Sequence, residues 1–234
     1  MRILIVLVIT LSTGVSISYG QHTTPVCSSS ALGWDAVLTY DLNQVQSTKQ
    51  LSKYVSNALY PIGAGAPLAF YFSGLATKSR YDAETGIVLG VVELATFATV
   101  VGMKQLIARD RPYIAYPNCI EGGEDDPLKS MPSGHAAASV AISTFISLRY
   151  PKWYVIAPLA AYTGYTLYAR MNLGMHYPTD LIIGAIIGGG FAYLGHRLTQ
   201  SITPAFETFM PSAMVSPQGT PILHVSYNFN LSPL

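Results

Sequence analysis

The chain of 234 residues is apolar and nearly neutral, which restricts the class of protein it belongs to. Half of its residues are hydrophobic, only 11% are charged, and the formal net charge is +1. A soluble domain usually carries about twice that share of charge, so the composition indicates a membrane protein. The balanced charge excludes a surface built for nucleic acid, and no basic block, zinc spacing or glycine-rich nucleotide loop occurs.

Residues 1–20 have the pattern of an export signal. Arg2 supplies a positive start, residues 3–17 are apolar, and residues 18–20 resemble a small-residue cleavage site. A cleaved signal peptide and an uncleaved signal anchor both fit this pattern. Either of them exports the segment that follows.

Residues 21–57 mix polar and apolar side chains. Between residues 34 and 59 the apolar positions have a ragged helical spacing, which predicts an exported amphipathic segment at the membrane surface. The segment contains Cys27, and Cys119 is the only other cysteine in the chain. Their separation excludes a CxxC motif, and in an oxidising compartment they either pair or remain two free thiols.

Five apolar stretches lie within residues 58–200, the predicted catalytic domain. They cover residues 59–76, 85–107, 136–148, 153–169 and 181–194. The second is long enough to cross a bilayer, and the shorter ones are rich in small residues that favour close packing of membrane helices. We predict an all-α, membrane-embedded bundle of about five to six transmembrane helices, although the shorter stretches also fit a soluble helical core.

Basic residues between the stretches predict the orientation. Lys78 and Arg80 follow the first stretch, Arg149 and Lys152 separate the third from the fourth, and Arg197 follows the fifth. Alternating helices put all of them on one side, which the positive-inside rule makes cytoplasmic. The loops at 108–133 and 170–178 then face the exterior, which is the periplasm if the membrane is a bacterial inner membrane. The export signal sends residues 21–57 to that same side.

Residues 201–234 form a Pro-rich tail that the orientation places in the cytoplasm. Apolar and polar residues alternate at 223–229, which is typical of a strand. Nothing else in the sequence explains a strand at this position.

Most acidic and basic residues outside the main motifs are interpreted as packing groups or solvent-exposed charges. Glu93 lies in the middle of an apolar stretch, as a packing group or as an inward partner for a cation. The acidic run at 121–126 lacks regular ligand spacing, which favours a solvated lid over a metal site. Arg109 and Asp110 are predicted to be solvated loop charges.

Three motifs fall at helix ends on the exported side. They are K-x6-R-P from Lys104 to Pro112, P-S-G-H from Pro132 to His135, and R-x5-H-x3-D from Arg170 to Asp180. Their three cations suit the charge of a phosphoryl group, and a serine that caps a helix N-terminus favours a bound anion. Two histidines allow one to attack phosphorus and the other to protonate the leaving oxygen.

In this order and at these intervals the motifs resemble those of the type 2 phosphatidic acid phosphatases (PAP2). Their superfamily also includes bacterial non-specific acid phosphatases and vanadium haloperoxidases. The resemblance implies a PAP2-like helical fold and a phosphatase that uses no metal and no cofactor. It further implies a phosphohistidine intermediate and a lipid phosphate or pyrophosphate as substrate.

The resemblance also implies roles for individual residues. His176 attacks phosphorus, Asp180 orients and activates it, and His135 protonates the leaving group and then activates water. Five residues are implied to bind the phosphate: Lys104, Arg111, Ser133, Gly134 and Arg170. The family's third motif usually begins Ser-Arg, whereas Ala169 precedes the arginine here. We expect the missing hydroxyl to weaken one phosphate contact without abolishing activity.

Two other functions use the same residues. A vanadate-dependent haloperoxidase fits because vanadate mimics phosphate, although such family members are mostly soluble. A non-enzymatic binder of lipid head groups would need a broken motif, and only Ala169 departs from the pattern. Candidate lipids are isoprenoid pyrophosphate, phosphatidylglycerol phosphate, phosphatidate and the phosphates of lipid A. The residues do not rank these lipids and do not predict an oligomeric state.

Overall fold

The fold is helical throughout the part of the chain that the computed structural model describes: residue 27, residues 32–124 and residues 129–209. The helices are α1 (Trp34–Asn43), α2 (Lys49–Thr77), α3 (Arg80–Ile107), α4 (Pro112–Ala115), α5 (Gly134–Arg149), α6 (Trp153–Asn172) and α7 (Pro178–Phe209). A 3₁₀ turn at Gln46–Thr48 separates α1 from α2. The described residues form no strand, which confirms the all-α prediction.

Each predicted apolar stretch lies in one long helix, but most of these helices extend further than the stretch. α2 begins at Lys49, so residues 49–58 belong to the first long helix rather than to the surface segment. α3 begins at Arg80 because the hydroxyl of Ser79 accepts a hydrogen bond from the backbone N–H of Asp82 at 3.3 Å. α7 continues to Phe209, beyond the predicted start of the tail. The export signal at 1–20 and the strand pattern at 223–229 lie outside the described residues.

Glycines let the long helices approach closely. A Cβ atom at Gly188 of α7 would lie 2.0 Å from the carbonyl oxygen of Ala137 in α5. A Cβ atom at Gly86 of α3 would lie 2.4 Å from the backbone nitrogen of Tyr71 in α2. Neither position tolerates a side chain, which matches the use of small residues in membrane helix packing.

Two stretches are long and apolar enough to cross a membrane by length and composition, Arg80–Ala115 and Pro178–Thr199. Large apolar side chains of α3 remain accessible from outside the protein: Leu94 is 71% exposed and Phe97 is 67% exposed. A bilayer would cover such side chains without cost. The other long helices of the described region do not meet the same criterion; α5, for example, has only 16 residues.

The basic turns share one end of the bundle. The guanidinium group of Arg149, at the end of α5, lies 3.7 Å from the ring centroid of Tyr81, at the start of α3. The opposite end collects the C-termini of α3 and α6 and the N-termini of α5 and α7. The three motifs therefore lie at the end away from these two basic turns, as the alternating topology predicts.

The segment before α2 is shorter and more broken than its apolar spacing suggested. α1 stops at Asn43, and Gln44 and Val45 precede the 3₁₀ turn. A disulfide joins Cys27 to Cys119, so the two cysteines pair rather than remain free thiols. This bond attaches the chain before α1 to the loop that follows α4.

Candidate active site

A cavity of about 370 Å³ opens among α2, α3 and α5 at the motif end of the bundle. Five of the predicted site residues line it: Lys104, Arg111, Gly134, His135 and His176. The other three, Ser133, Arg170 and Asp180, are fully buried. Residues from all three motifs thus meet around one cavity.

His176 is buried in the short loop between α6 and α7, with 1% of its surface exposed. Its Nε2 lies 3.2 Å from Nη1 of Arg111. An arginine only donates hydrogen bonds, so Nε2 is the acceptor and the ring proton is on Nδ1. Burial, followed by the positive charges of Arg170, Arg111 and Lys104, holds the pKa of His176 well below its usual 6.5. The ring is therefore neutral and keeps a lone pair on Nε2.

Asp180 lies one helical turn after His176, and its carboxylate faces the other ring nitrogen. Oδ2 is 3.5 Å from Nδ1 of His176, close enough for electrostatic attraction but without the geometry of a hydrogen bond. The same oxygen accepts hydrogen bonds from the hydroxyl of Ser130 and from the backbone N–H of Tyr177 at 2.9 Å. The carboxylate is therefore fixed beside Nδ1, where it favours the tautomer that leaves Nε2 free to attack.

His135 lies in the first turn of α5 and lines the cavity. Its Nε2 is buried and has no hydrogen-bond partner among the described residues. The ring makes a backbone hydrogen bond with Ser56 and an edge contact with Tyr60, with 5.4 Å between ring centroids. Since Nε2 is unpaired, the bond to Ser56 uses Nδ1, and Nε2 remains available to a bound molecule.

The N-terminus of α5 has the features predicted for an anion site. The hydroxyl of Ser133 caps it by accepting a hydrogen bond from the N–H of Ala136 at 3.3 Å. The N–H of Ser133 donates to the carbonyl oxygen of Asp180 at 3.0 Å, which ties the second motif to the third. A Cβ atom at Gly134 would meet only Val100, at 3.6 Å, so glycine keeps the cavity open rather than avoiding a clash with protein.

Arg170 is fully buried, and an acidic residue accepts a hydrogen bond from one of its guanidinium nitrogens. Nη1 donates to the hydroxyl of Ser56 and to the carboxylate of Glu124, the latter at 2.7 Å. Nε and Nη2 have no partner among the described residues. Nε and Nη2 of Arg170 are therefore available to bind a ligand, whereas Nη1 is occupied by Glu124 and Ser56. Ala169, beside it, is fully buried in α6.

Two charged residues that were predicted to be solvated, Arg109 and Glu124, form ion pairs instead. Arg109 is not a solvated loop charge: it lies between Asp35 at 2.7 Å and Asp180 at 2.9 Å. Glu124 is not simply solvated, since its side chain is only 22% exposed and pairs with Arg170. Glu121 pairs with Lys49 but its side chain is 69% exposed, which agrees with a solvated residue. Residues 125–128, the rest of the acidic run, lie outside the described residues.

Glu93 and Asp110 lie in surroundings close to those predicted, a packing position for Glu93 and a solvent-exposed loop for Asp110. Glu93 lines the cavity, but its Oε1 has no partner among the described residues, so it does not pair with a cation of the site. Asp110 is mostly exposed and forms a surface ion pair with Lys129 at 2.6 Å.

Residues 172–180, which carry His176, form the candidate catalytic loop, called the catalytic loop below. Three residues that the motifs did not reveal hold it: Asp35, Thr39 and Ser130. Each contacts residues 176–180 and lies outside the three motifs. Asp35 and Thr39 are more than 130 positions away in the sequence, so no local pattern marks them. Ser130, three residues before Ser133, lies close enough to a motif that a wider window would have included it. The described residues contain no cluster of three or more His, Cys, Asp or Glu side chains that could hold a metal ion.

The chain matches a known protein family. The model of the PAP2 superfamily matches residues 85–204, which include all three motifs and the four helix ends around the cavity. The match begins inside α3 and ends inside α7, so it leaves out α1 and α2.

Two curated relatives are bacterial enzymes named Lipid A 4'-phosphatase. The one from Bacteroides thetaiotaomicron is 39% identical over 80 residues, covering 31% of this chain and 36% of its own. The one from Helicobacter pylori is 36% identical over 66 residues, covering 28% of this chain and 33% of its own. The aligned part thus spans about a third of the length of either relative.

A solved structure shares the fold. The crystal structure of Aquifex aeolicus LpxE superposes with a TM-score of 0.59 at 19% identity, covering 71% of this chain and 96% of that one. The likeness extends well beyond the region that the curated relatives match. The helical arrangement around the cavity is therefore one that a solved protein also adopts.

Proposed function

Because the chain belongs to the PAP2 superfamily, we propose that it is a membrane phosphatase that hydrolyses a lipid phosphate or pyrophosphate through a phosphohistidine on His176, without a metal. The observation that carries this proposal is the state of His176. A neutral, buried imidazole presents Nε2 to a cavity surrounded by Lys104, Arg111 and Arg170. A nucleophile beside three cations is the arrangement that attack on an anionic phosphoryl group requires.

The first step transfers the phosphoryl group to the enzyme. The Nε2 lone pair of His176 attacks phosphorus while the bond to the leaving oxygen breaks, and protonated His135 gives its proton to that oxygen. Burial lowers the pKa of His135, so the ring is neutral in the empty site. A substrate that binds with a protonated phosphate supplies the proton, and its remaining negative charge favours the protonated ring. Arg111, which holds Nε2 in the empty site, turns its N–H donors to the phosphoryl oxygens together with Arg170 and Lys104.

The second step releases phosphate. His135, now neutral, takes a proton from a water molecule, and the water oxygen attacks phosphorus as the bond to Nε2 breaks. Inorganic phosphate leaves, and His176 regains its lone pair. Asp180 stabilises the positive charge that the substituted imidazole carries between the two steps.

A lipid substrate is supported by the walls of the cavity. Beyond the histidines the cavity runs between α2 and α3, and its lining there is mainly apolar, for example Leu59, Leu94 and Phe97. A phosphate head at the polar end and a hydrocarbon chain along these walls fit one amphiphilic molecule. Both curated relatives are named Lipid A 4'-phosphatase, so a phosphate of lipid A is the first substrate to test.

We place the active site on the exported face of a bacterial inner membrane. The disulfide between Cys27 and Cys119 lies at the motif end of the bundle, and such bonds persist in oxidising compartments. The basic turns around Lys78 and Arg149 lie at the other end, which the positive-inside rule assigns to the cytoplasm. Both arguments give the same orientation.

The test is phosphate release by the purified full chain from a panel containing lipid A, phosphatidate, phosphatidylglycerol phosphate and isoprenoid pyrophosphate. We expect release from at least one lipid, unaffected by excess chelator, and a loss of more than about a thousandfold in His176→Ala. Equal release by His176→Ala would contradict the histidine mechanism. Activity that chelator removes and added metal restores would contradict the metal-free claim.

A further inference from the structure

α1 lies across the catalytic loop and contacts it at three places. The hydroxyl of Thr39 donates to the carbonyl oxygen of His176 at 3.1 Å, and the amide of Asn43 donates to the carbonyl oxygen of Asn172 at 2.9 Å. The carboxylate of Asp35 accepts from the backbone N–H of Thr179 at 3.2 Å and from its hydroxyl. Thr39 and Asn43 are fully buried, so this helix closes over the loop.

Arg109 connects α1 to the carboxylate of Asp180. Its Nη2 donates to Oδ2 of Asp35 at 2.7 Å, and its Nη1 donates to Oδ1 of Asp180 at 2.9 Å. The guanidinium plane lies 3.7 Å from the ring centroid of Tyr177, the residue next to the nucleophile. The planar fork of an arginine can hold two carboxylates in fixed directions, which a lysine ammonium cannot.

We propose that Asp35 and Arg109 are positioning residues: α1 holds Arg109 through Asp35, and Arg109 holds the Asp180 carboxylate facing Nδ1 of His176. The inference rests on the proposed function of His176. Neither residue lines the cavity, so each acts through Asp180 rather than on substrate. Asp35 and its helix lie outside the part of the chain that matches the family model.

The disulfide between Cys27 and Cys119 anchors the start of α1. Leu32 and Ala36 of the α1 region pack against Tyr177, with Cys27 and Cys119 beside them. The bond therefore keeps the start of α1 on the catalytic loop. Breaking it should loosen the same contacts that the Asp35 substitution removes.

The test compares Asp35→Asn with Asp41→Asn, a matched change at an exposed position of the same helix. We expect Asp35→Asn to lower kcat about tenfold with little change in KM, because a misplaced catalytic group costs rate rather than binding. Arg109→Lys should keep part of the activity that Arg109→Ala loses. Arg109→Ala should also move the acidic limb of the kcat/KM profile to higher pH, since an unneutralised Asp180 favours protonated His176.

Hydrogen exchange of residues 172–180 supplies a readout that needs no turnover. Faster exchange in Asp35→Asn than in Asp41→Asn supports the role of Asp35 as a positioning residue. An active parent with kcat and exchange unchanged in Asp35→Asn would overturn the inference while leaving the proposed function standing. A rise in KM alone would also overturn it, because it would indicate substrate contact. A parent that hydrolyses no lipid phosphate would refute the proposed function, and with it the catalytic role of α1.

A second and independent feature is a polar spot deep in the apolar part of the cavity. Glu93 and Thr96 both line it, one helical turn apart on α3. The buried Oε1 of Glu93 and Oγ1 of Thr96 have no partner among the described residues, and Thr96 is only 2% exposed. Unpaired polar atoms in such surroundings are costly, and inside a membrane they usually mark a functional site.

Resting on the same proposed function, we infer that Glu93 and Thr96 bind a hydroxyl group on the hydrocarbon chain of the substrate. A hydroxyl both donates and accepts, so it can satisfy the carboxyl and the threonine together. It is also neutral, which suits the apolar walls around it. Thr96 and Glu93 precede Lys104 by eight and eleven residues, about 12 and 16 Å along the helix, which sets how far from the phosphate the hydroxyl must lie.

The test uses two lipid phosphates that differ only in a chain hydroxyl at that depth. We expect the parent to favour the hydroxylated lipid about tenfold in kcat/KM. Glu93→Leu should remove the preference by lowering kcat/KM for the hydroxylated lipid more than for the plain one. Thr96→Val should weaken the preference. Thr99→Val is the matched control, because its hydroxyl is already bonded to the carbonyl oxygen of Ala95 at 2.8 Å.

Binding of the same two lipids to His176→Ala measures the preference without turnover. No preference in the parent, or a preference that survives Glu93→Leu, would overturn the assignment. A preference in binding with no hydrolysis of either lipid would keep the hydroxyl site and refute the phosphatase.

Discussion

The two sides of His176 differ in how completely their polar groups are paired. On the α1 side, the carboxylate of Asp180 contacts Arg109, Ser130 and the backbone of Tyr177. On the cavity side, Nε2 of His135 and two nitrogens of Arg170 have no partner among the described residues. Buried polar groups are normally paired, so the paired side indicates rigid support and the unpaired side indicates a missing ligand.

The largest effect should come from the unpaired side. Arg170→Ala removes the fork that we propose binds the phosphoryl oxygens, and we expect kcat/KM to fall about a thousandfold. The change also removes a positive charge that lowers the pKa of His176, so the remaining activity should lose its acidic limb at a higher pH than in the parent. Steady-state kinetics between pH 4 and pH 9 measure both effects. Recovery of most activity in Arg170→Lys would contradict a need for the planar fork.

A smaller effect is expected on the paired side. Asp180→Asn keeps the shape of the side chain but removes the charge that Arg109 and Nδ1 of His176 face. We expect kcat to fall about a hundredfold, in the range found when a supporting hydrogen-bond partner is changed. Because the contacts of Asp180 are buried, the melting temperature should fall as well. Unchanged stability, measured by thermal unfolding in detergent, would show that the paired side is not a rigid support.

The smallest effect concerns Glu124, the carboxylate that pairs with Arg170. Glu124 pairs with Arg170 in the empty site and is partly exposed, with 22% of its side chain accessible. A substrate phosphate competes for the same guanidinium, so Glu124→Gln should lower KM, by at most about fivefold for a pair of this exposure. Glu121→Gln, whose partner is Lys49, is the control. A higher KM in Glu124→Gln would mean that Glu124 orients Arg170 instead of competing with the phosphate.

The sequence predicted the cavity side better than the side that supports it. Lys104, Arg111, His135 and His176 lie in short motifs at helix ends, and apolar stretches were enough to bring those ends together. Arg109 lies two residues before Arg111, yet its partners Asp35 and Asp180 are 74 and 71 positions away. Because such contacts depend on how α1 folds back over the loop, no local spacing predicts them.

The N-terminal region shows the same limit at the level of helices. The ragged apolar spacing of residues 34–59 predicted one surface segment, whereas α1 ends at Asn43 and α2 begins at Lys49. The buried polar residues Thr39 and Asn43 bond to the catalytic loop, so they interrupt the apolar spacing for a tertiary reason. The helix boundaries within the bundle were easier to predict, since Ser79 and Ser133 provide local caps.

The most direct test of the account is to trap the phosphorylated enzyme. Rapid acid-free quenching of the purified chain during turnover of a hydrolysable lipid phosphate, followed by peptide mass spectrometry, locates the phosphoryl group. We predict one acid-labile phosphate on His176, absent in His176→Ala and longer-lived in His135→Ala, because the second step then lacks its base. A phosphate on another residue, or the same labelling in His176→Ala, would contradict the assignment of His176 as the nucleophile.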